Sequence, residues 1–429
     1  MMTYDETLHY LYNQMPEYQR IGHLAYKPGL DNSYKLDEIL EKPHTKYTTI
    51  HVGGTNGKGS TSHLISAILM KSGYKVGLYT SPHLVDFRER IRVNGHMVPK
   101  EYVIDFVEKY RGEFEPVMPS FFELTMEMAF KYFEEEEVDA AVIEVGLGGR
   151  LDSTNIINPD LCVITNIGFD HVQILGDNLP AIAAEKAGII KRSTPVVIGE
   201  VTDDLVRNVF ARKAAEENAP IVFAEDEVTD LSVERNEEGL FFSGAGFVKI
   251  KSELMGFAQE KNARTVVAAV NELRKIGYVL PDDAVVAGFE NVVELTGLMG
   301  RWQKLSENPS IICDTGHNSH GIRYIAEQLS KEQYGELHIV FGMVNDKDVS
   351  SVLELMPKNA KYYFTRAAID RALPPEELAN MAKQYGLNGN TYDEISKAIE
   401  LAKKNADEND LIFIGGSSFI VADALPLFL

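Results

Sequence analysis

Four short runs of β-branched and apolar residues lie in the first half of the chain: YTTIHVGG (47–54), KVGLYTSP (75–82), DAAVIEVG (139–146) and LCVITNIG (161–168). Each stops at a glycine or a proline. Amphipathic stretches with helical spacing lie between them, VPKEYVIDFVEKYRG (98–112) and SFFELTMEMAFKYFEEEE (120–137). A strand that is apolar on both faces must be covered on both faces, so this alternation predicts a parallel sheet flanked by helices. The acidic run Glu134 to Glu137 reads as the solvated end of one such helix.

A second series begins near residue 310, with SIICDTG, LHIVFGMV, AKYYFT and DLIFIGGSS separated by helical patterns. Between the two series, ENVVELTGLMGRWQ (290–303) passes from helix to a glycine-containing stretch, which places a boundary at about residue 297. At 429 residues the chain exceeds what one hydrophobic core usually serves. The expectation is an α/β protein of two domains. Residues 1–296 would carry a mostly parallel sheet of the P-loop ATPase type, and residues 297–429 a Rossmann-like α/β sheet.

The first strand runs into GGTNGKGST (53–61). This nearly matches the phosphate-loop pattern G-x-x-x-x-G-K-[ST] and departs from it twice. Val52 stands where the first glycine belongs, and Gly59 follows Lys58 where a metal-binding hydroxyl is usual. A strand that turns through glycines into a helix still presents a concave row of backbone N–H groups to an anion. Gly54, Thr55, Asn56, Gly57, Lys58, Gly59 and Ser60 are therefore candidate nucleotide contacts, with Lys58 directed at the β and γ phosphates. Ser60 comes one residue late for the metal. A replacement oxygen is expected from a neighbouring strand end, since ligands collect at the carboxyl ends of parallel strands. Ser81 in TSPH, Glu144 in AVIEVG and His171 in NIGFDH stand at such ends. Lys186, in the apolar segment AIAAEKAGII, would ordinarily extend its amine to solvent. Held near a metal it could lose its proton and become chemically modifiable. Arg301 in GRWQ is placed to reach phosphates, and Trp302 reads as ordinary core.

Charge and composition narrow the partners. A formal net charge of −22 argues against nucleic acid, whose phosphates need clustered Lys and Arg. No apolar run approaches the roughly 18 residues of a membrane span. The first residues, MMTYDETLHYLYNQ, lack the basic start and apolar centre of a signal peptide. Cys162 and Cys313 sit within apolar runs and read as buried thiols. These features together point to the cytoplasm, and with no oligomer signal, to a monomer.

Ten stretches together resemble the Mur ligase superfamily, and within it the dihydrofolate synthase and folylpolyglutamate synthase family. They are IHVGGTNGKGS, TSPHLVDFRERIRVNG, SFFELTMEMAFKYF, VDAAVIEVGLGGRLDSTN, ITNIGFDH, AEKAGIIK, AQEKNA, GRWQ, DTGHN and GGSSF, in the family's order from residue 50 to about 420. The resemblance implies an ATP-dependent ligase that converts an acid to an acyl phosphate, which the amino group of L-glutamate then attacks. The acid would be a folate or dihydropteroate. By motif, Lys58 and the loop amides would hold the ATP phosphates. Ser81, Glu144 and His171 would hold Mg2+, and Lys186 matches a lysine that is carbamylated in the family and helps bind a second Mg2+. Asn262, Arg301 and Asp314 match ATP contacts, His317 and Ser417 the side of the incoming glutamate, and Phe122 and Asp152 the pterin side of the acceptor. Lys58, Lys186 and His317 are the implied catalytic groups.

The chain also departs from the family pattern. Ser153 replaces the commoner alanine of LDATN, Thr315, Gly316 and Ser319 alter the DGAHNP motif, Ala258 stands where histidine is frequent, and SSF replaces SLY. None of these touches the phosphate or metal set. A monofunctional and a bifunctional enzyme remain open, as do a ligase for another acid and, from a different class, a nucleotide-binding regulator. Gly59 after the lysine favours the folate branch over the cell-wall ligases, whose loops typically read GTNGKT.

Overall fold

The computed structural model describes residues 2–14, 29–236 and 239–428. The chain divides into two compact units. The first comprises Met1–Gly168, Val172–Glu253 and Gln259–Leu298; the second comprises Phe169–His171, Leu254–Ala258 and Met299–Leu429. Among the described residues no helix is long and apolar enough to cross a membrane.

The first unit is organised by an eight-stranded sheet. Its strands are β1 (Thr48–Gly53), β2 (Val76–Tyr79), β3 (Ile91–Val93), β4 (His96–Met97), β5 (Ala140–Glu144), β6 (Leu161–Asn166), β7 (Val196–Glu200) and β8 (Ile221–Phe223). They lie in the order β4-β3-β2-β5-β1-β6-β7-β8. From β2 to β8 neighbours are parallel, while β3 and β4 form an antiparallel extension at the β2 edge. The apolar runs of the sequence became the interior strands because both faces are covered: all residues of β5 and β6 are buried. Chain order reverses around β1, which lies between β5 and β6. The crevice at the carboxyl ends of β1, β5 and β6 is therefore where an α/β sheet of this kind takes its ligand.

The helix Lys58–Lys71 follows β1 and is buried along most of its length, from Ser60 to Leu69. It packs against the sheet and against the helices Gln259–Lys275 and Asp282–Glu290. A position in the middle of the unit explains why this helix lacks the one-sided apolar stripe of a surface helix.

The unit also contains a feature that the strand–helix alternation does not reveal. β9 (Ser232–Asn236), β10 (Gly239–Gly244) and β11 (Phe247–Ser252) form a separate antiparallel sheet in the order β11-β10-β9. It is anchored by Phe242, whose ring meets that of Phe289 edge-on at a centroid distance of 6.1 Å.

The second unit has a six-stranded sheet in the order β12-β13-β17-β14-β15-β16. Its strands are β12 (Gln303–Glu307), β13 (Ser310–Cys313), β14 (Leu337–Phe341), β15 (Lys361–Phe364), β16 (Gly389–Thr391) and β17 (Leu411–Gly415). All pairs are parallel except the hairpin β12–β13. Trp302 is core, as its surroundings in sequence suggest: its ring lies 6.0 Å from that of Phe413, within a buried cluster that includes Phe341 and Phe364.

Candidate functional site

The turn after β1 is held by the end of β6. Asn166 accepts the Thr55 N–H on its backbone oxygen at 3.0 Å and the Asn56 N–H on its side-chain oxygen at 2.9 Å. Gly168 N donates to Thr55 Oγ1 at 3.1 Å, and Thr165 Oγ1 donates to Asn56 O at 2.5 Å. The turn is drawn in so tightly that a β-carbon on Gly54 (φ 138°) would lie 1.9 Å from Thr165 Oγ1. Only glycine fits there. Gly57 (φ 80°) then starts the helix, and no side chain caps it. An uncapped N-terminus with a positive dipole end is a ready anion site.

Two lysines converge on this turn. Lys58 Nζ folds back onto Gly54 O at 3.2 Å and Thr55 O at 3.1 Å. Lys186 Nζ donates to the same Gly54 O at 2.8 Å. Lys186 is 3% exposed, so its amine does not extend to solvent as the apolar context of its helix, Leu179–Ala187, suggested. The helix points this residue at the loop, and the carbonyl compensates for its burial. Asn262 closes the other side: its Oδ1 would lie 2.3 Å from a β-carbon on Gly57. Its amide donates to Gln259 Oε1 at 2.9 Å, and Gln259 in turn reaches Ser60 Oγ at 3.4 Å. Ser60 is thus occupied within the helix packing, and Gly59 contributes no side chain.

The strand-end residues Ser81 and Glu144 sit beside one another. The Ser81 backbone N–H donates to Glu144 Oε2 at 3.2 Å, so Ser81, just past the end of β2, lies against the Glu144 carboxylate that ends β5. Glu144 is 4% exposed. A buried carboxylate and a serine, both oxygen donors, are the residue types Mg2+ takes, and this pair fits it.

A third group marks where a ring could lie. A β-carbon on Gly146 would come within 2.6 Å of the Phe122 ring and 3.2 Å of Asp152 Oδ2. The two residues named for the acceptor are therefore brought together over one glycine. Asp152 accepts the N–H of Leu147 at 2.7 Å and of Thr154 at 3.0 Å, and the Thr154 hydroxyl at 2.5 Å. Burial raises its carboxyl above the usual range, and these hydrogen bonds work in the opposite sense.

The second unit carries its own polar cluster. Asp170 is ion-paired with Lys347 and accepts from His317 Nε2 at 3.3 Å and Asn318 Nδ2 at 3.1 Å. Burial alone would raise Asp170, but Lys347, His171 and His317 together hold it well below the usual carboxylate range. His171 itself has φ 51°, a conformation that a non-glycine residue holds only when its surroundings impose it. Its Nε2 lies 3.5 Å from Lys347 Nζ. Asp314 uses Oδ2 on the Trp302 N–H and Oδ1 on the Gly316 N–H, both at 2.8 Å. It thereby fixes the turn that carries Arg301, whose guanidinium reaches Thr315 Oγ1. Ser417 is buried and caps the helix Ser418–Ala424.

Comparison with known proteins gives these clusters a setting. The Mur ligase middle domain matches residues 52–270, and the Mur ligase glutamate ligase domain matches residues 300–418. The dihydrofolate synthase/folylpolyglutamate synthase of Bacillus subtilis is 33% identical over 418 residues, covering 92% of this chain and 94% of that one. The chain belongs to the dihydrofolate synthase/folylpolyglutamate synthase family of Mur ligases. A probable bifunctional folylpolyglutamate synthase/dihydropteroate synthase of Haloferax volcanii is 30% identical over 99% of this chain, which spans 50% of that longer protein. The structure of Escherichia coli FolC in complex with DHPP and ADP is similar with a TM-score of 0.85 at 29% identity, covering 99% of this chain and 97% of that one.

Within the family frame, several residues of the clusters carry no sequence signal of their own. Thr165 and Asn166 hold the phosphate turn from an adjacent strand, and only the pairing of β6 with β1 shows it. Gln259 lies in the quoted AQEKNA stretch, but its contact with Ser60 needs the helix Gln259–Lys275 to pack on the helix Lys58–Lys71. Lys347 reads as one more surface lysine of VNDKDVS; the structure makes it the buried partner of Asp170.

Proposed function

We propose that this chain joins the amino group of L-glutamate to the carboxyl group of a folate-type acid, through an acyl phosphate made at the cost of ATP. It is an ATP-dependent ligase that forms an amide bond. The observation that carries the reading is the convergence of Lys58 and Lys186 on Gly54 O beside the Ser81–Glu144 pair. A cationic, amide-lined turn next to a hard-oxygen pair suits a metal–nucleotide substrate.

A carboxylate is a poor electrophile, and phosphorylation supplies a leaving group. The acid's oxygen attacks the γ-phosphorus and ADP departs. The glutamate nitrogen then attacks the carbonyl carbon, phosphate leaves, and the nitrogen gives up a proton. Lys58 and the loop amides position the β and γ phosphates against their own repulsion. Ser81 and Glu144, and in the family pattern His171, would hold Mg2+, which when bound would supply neutralising charge at the transferred group. Lys186 is the residue for carbamylation, after which it would offer a second carboxylate. Asn262, Arg301 and Asp314 complete the nucleotide contacts in this reading. Phe122 and Asp152 bind the acceptor ring, and His317 and Ser417 face the glutamate. We assign the domains as 1–296 and 297–429, and the enzyme as a cytoplasmic monomer.

The test is phosphate release from ATP with L-glutamate and Mg2+, using dihydropteroate and a reduced folate separately. Turnover with both identifies a bifunctional synthase, and turnover with the reduced folate alone a polyglutamylase. ATP binding without turnover on either acid would overturn the folate assignment.

A further inference from the structure

We propose that His51 is a positioning residue for the acceptor acid, acting through Thr154 on the carboxylate of Asp152. His51 lies in the middle of β1, between Ile143 of β5 and Cys162 of β6. It is 0% exposed, flanked in the strand by the buried aliphatic Ile50 and Val52. A valine or isoleucine would satisfy the strand pattern at lower cost, because burying an imidazole forfeits its hydration.

What the imidazole gains is one contact. His51 Nε2 lies 2.8 Å from Thr154 Oγ1, which lies 2.5 Å from Asp152 Oδ1. Counting protons fixes the direction. The Asp152 carboxylate already accepts the N–H of Thr154 and of Leu147, so it is an acceptor toward the hydroxyl. The single Thr154 hydroxyl proton therefore goes to Asp152. Thr154 Oγ1 must then accept from His51, which places the imidazole proton on Nε2. Nδ1, which has no hydrogen-bond partner among the described residues, is the unprotonated nitrogen. Burial, with Lys191 nearby, pushes the imidazole down to about 3 and keeps it neutral.

The backbone of the turn does not need this contact. Asn155 Nδ2 donates to Arg150 O at 3.1 Å and Gly188 O at 3.0 Å, and Lys191 Nζ donates to Asn155 O at 2.7 Å. His51 is thus spare for holding the chain and specific for the hydroxyl. It orients the Thr154 proton, which orients the carboxylate that stands with Phe122 over Gly146. The inference rests on the reading of Asp152 and Phe122 as acceptor residues.

The experiment compares steady-state kinetics of the full chain and of His51→Met, His51→Gln, Thr154→Val, Thr154→Ser and Asp152→Asn, with each of the three substrates varied in turn. His51→Gln keeps an N–H near the position of Nε2, and Thr154→Ser keeps the hydroxyl. Loss of one such hydrogen bond is expected to raise the KM for the acceptor acid about five- to tenfold in His51→Met and Thr154→Val. The KM values for ATP and glutamate should hold, and the Gln and Ser variants should recover most of the loss. If Asp152→Asn raises the acceptor KM and His51→Met, folded to the same melting temperature, does not, the His51 role is overturned. Equal changes in all three KM values, or no recovery in His51→Gln, would likewise overturn it and leave His51 a packing residue. An unchanged acceptor KM in Asp152→Asn would instead remove the acceptor reading itself.

Discussion

Lys58 and Lys186 donate to one and the same carbonyl oxygen, that of Gly54, although 128 positions separate them in the chain (186 minus 58). One lysine arrives from the helix that follows the turn, the other from the helix Leu179–Ala187 that comes after β6. Two ammonium groups within reach of one oxygen repel each other, and an anion bound at the turn would offset that repulsion.

The first prediction concerns Lys58. Lys58→Ala should lower turnover on the order of a hundred- to a thousandfold, the usual loss of a charge aimed at the transition state. Phosphate release with saturating acid and glutamate measures it. A rate within a few fold of the parent would remove Lys58 from the phosphate site.

Gly57→Ala should fail for a steric reason. The new β-carbon would meet Asn262 Oδ1 at 2.3 Å, and φ is 80°. Displacing the turn by about an ångström is expected to reduce kcat/KM for ATP on the order of a hundredfold. Asn262→Gly in the same chain should return part of it, and no return would show that the clash is not the cause.

Lys186 tests the modification. Lys186→Ala should be inactive, and short carboxylic acids added to it should restore part of the activity if a carbamate is the working group. Failure of every such acid, in a variant that folds like the parent, would count against carbamylation.

Lys347 tests a buried pair. Removing the ammonium in Lys347→Ala leaves Asp170 charged and enclosed, an expected loss of about 3–5 kcal/mol in denaturant unfolding. The double change Lys347→Met with Asp170→Asn should recover most of that stability without recovering turnover. A single variant as stable as the parent would show that Asp170 is not buried as a charge.

The neutral buried histidine predicts a pH dependence. His51 is held at about 3 in the fold, against about 6.5 in an unfolded chain. The unfolded state therefore binds the extra proton between these values, so its contribution is complete above pH 6.5 and falls as pH drops toward 3. The slope should be about 1.4 kcal/mol per pH unit for this one group. His51→Gln should flatten the fall of the urea midpoint between pH 6.5 and 4.5 relative to the parent. Identical slopes would mean that His51 is hydrated.

Much of the fold was legible because its signals are local. β1, β5 and β6 are continuous apolar runs, and glycine punctuates the turn at Gly54–Gly57 wherever the chain must take positive φ. The β9–β11 sheet was not legible, since its strands alternate polar and apolar residues over a few positions and lack the helix-separated rhythm of the others. The candidate site divides the same way. Lys58, Ser81 and Glu144 stand at strand ends that the sequence marks. The contacts of Lys347, Gln259 and Thr165 carry no mark, because they are made with residues 109 to 199 positions away.

By itself the sequence determined which apolar runs become the interior strands, where a phosphate turn lies, and which polar residues end those strands. These follow from the period of apolar residues and from backbone freedom, both properties of neighbours in the chain. Tertiary structure alone decided the fate of each charge. Lys186, whose apolar segment left its amine either bound for solvent or held near a metal, is enclosed on Gly54 O; His51, inside an apolar run, is fixed by Thr154. Whether a polar group is buried, and what compensates it, depends on atoms that only packing brings near.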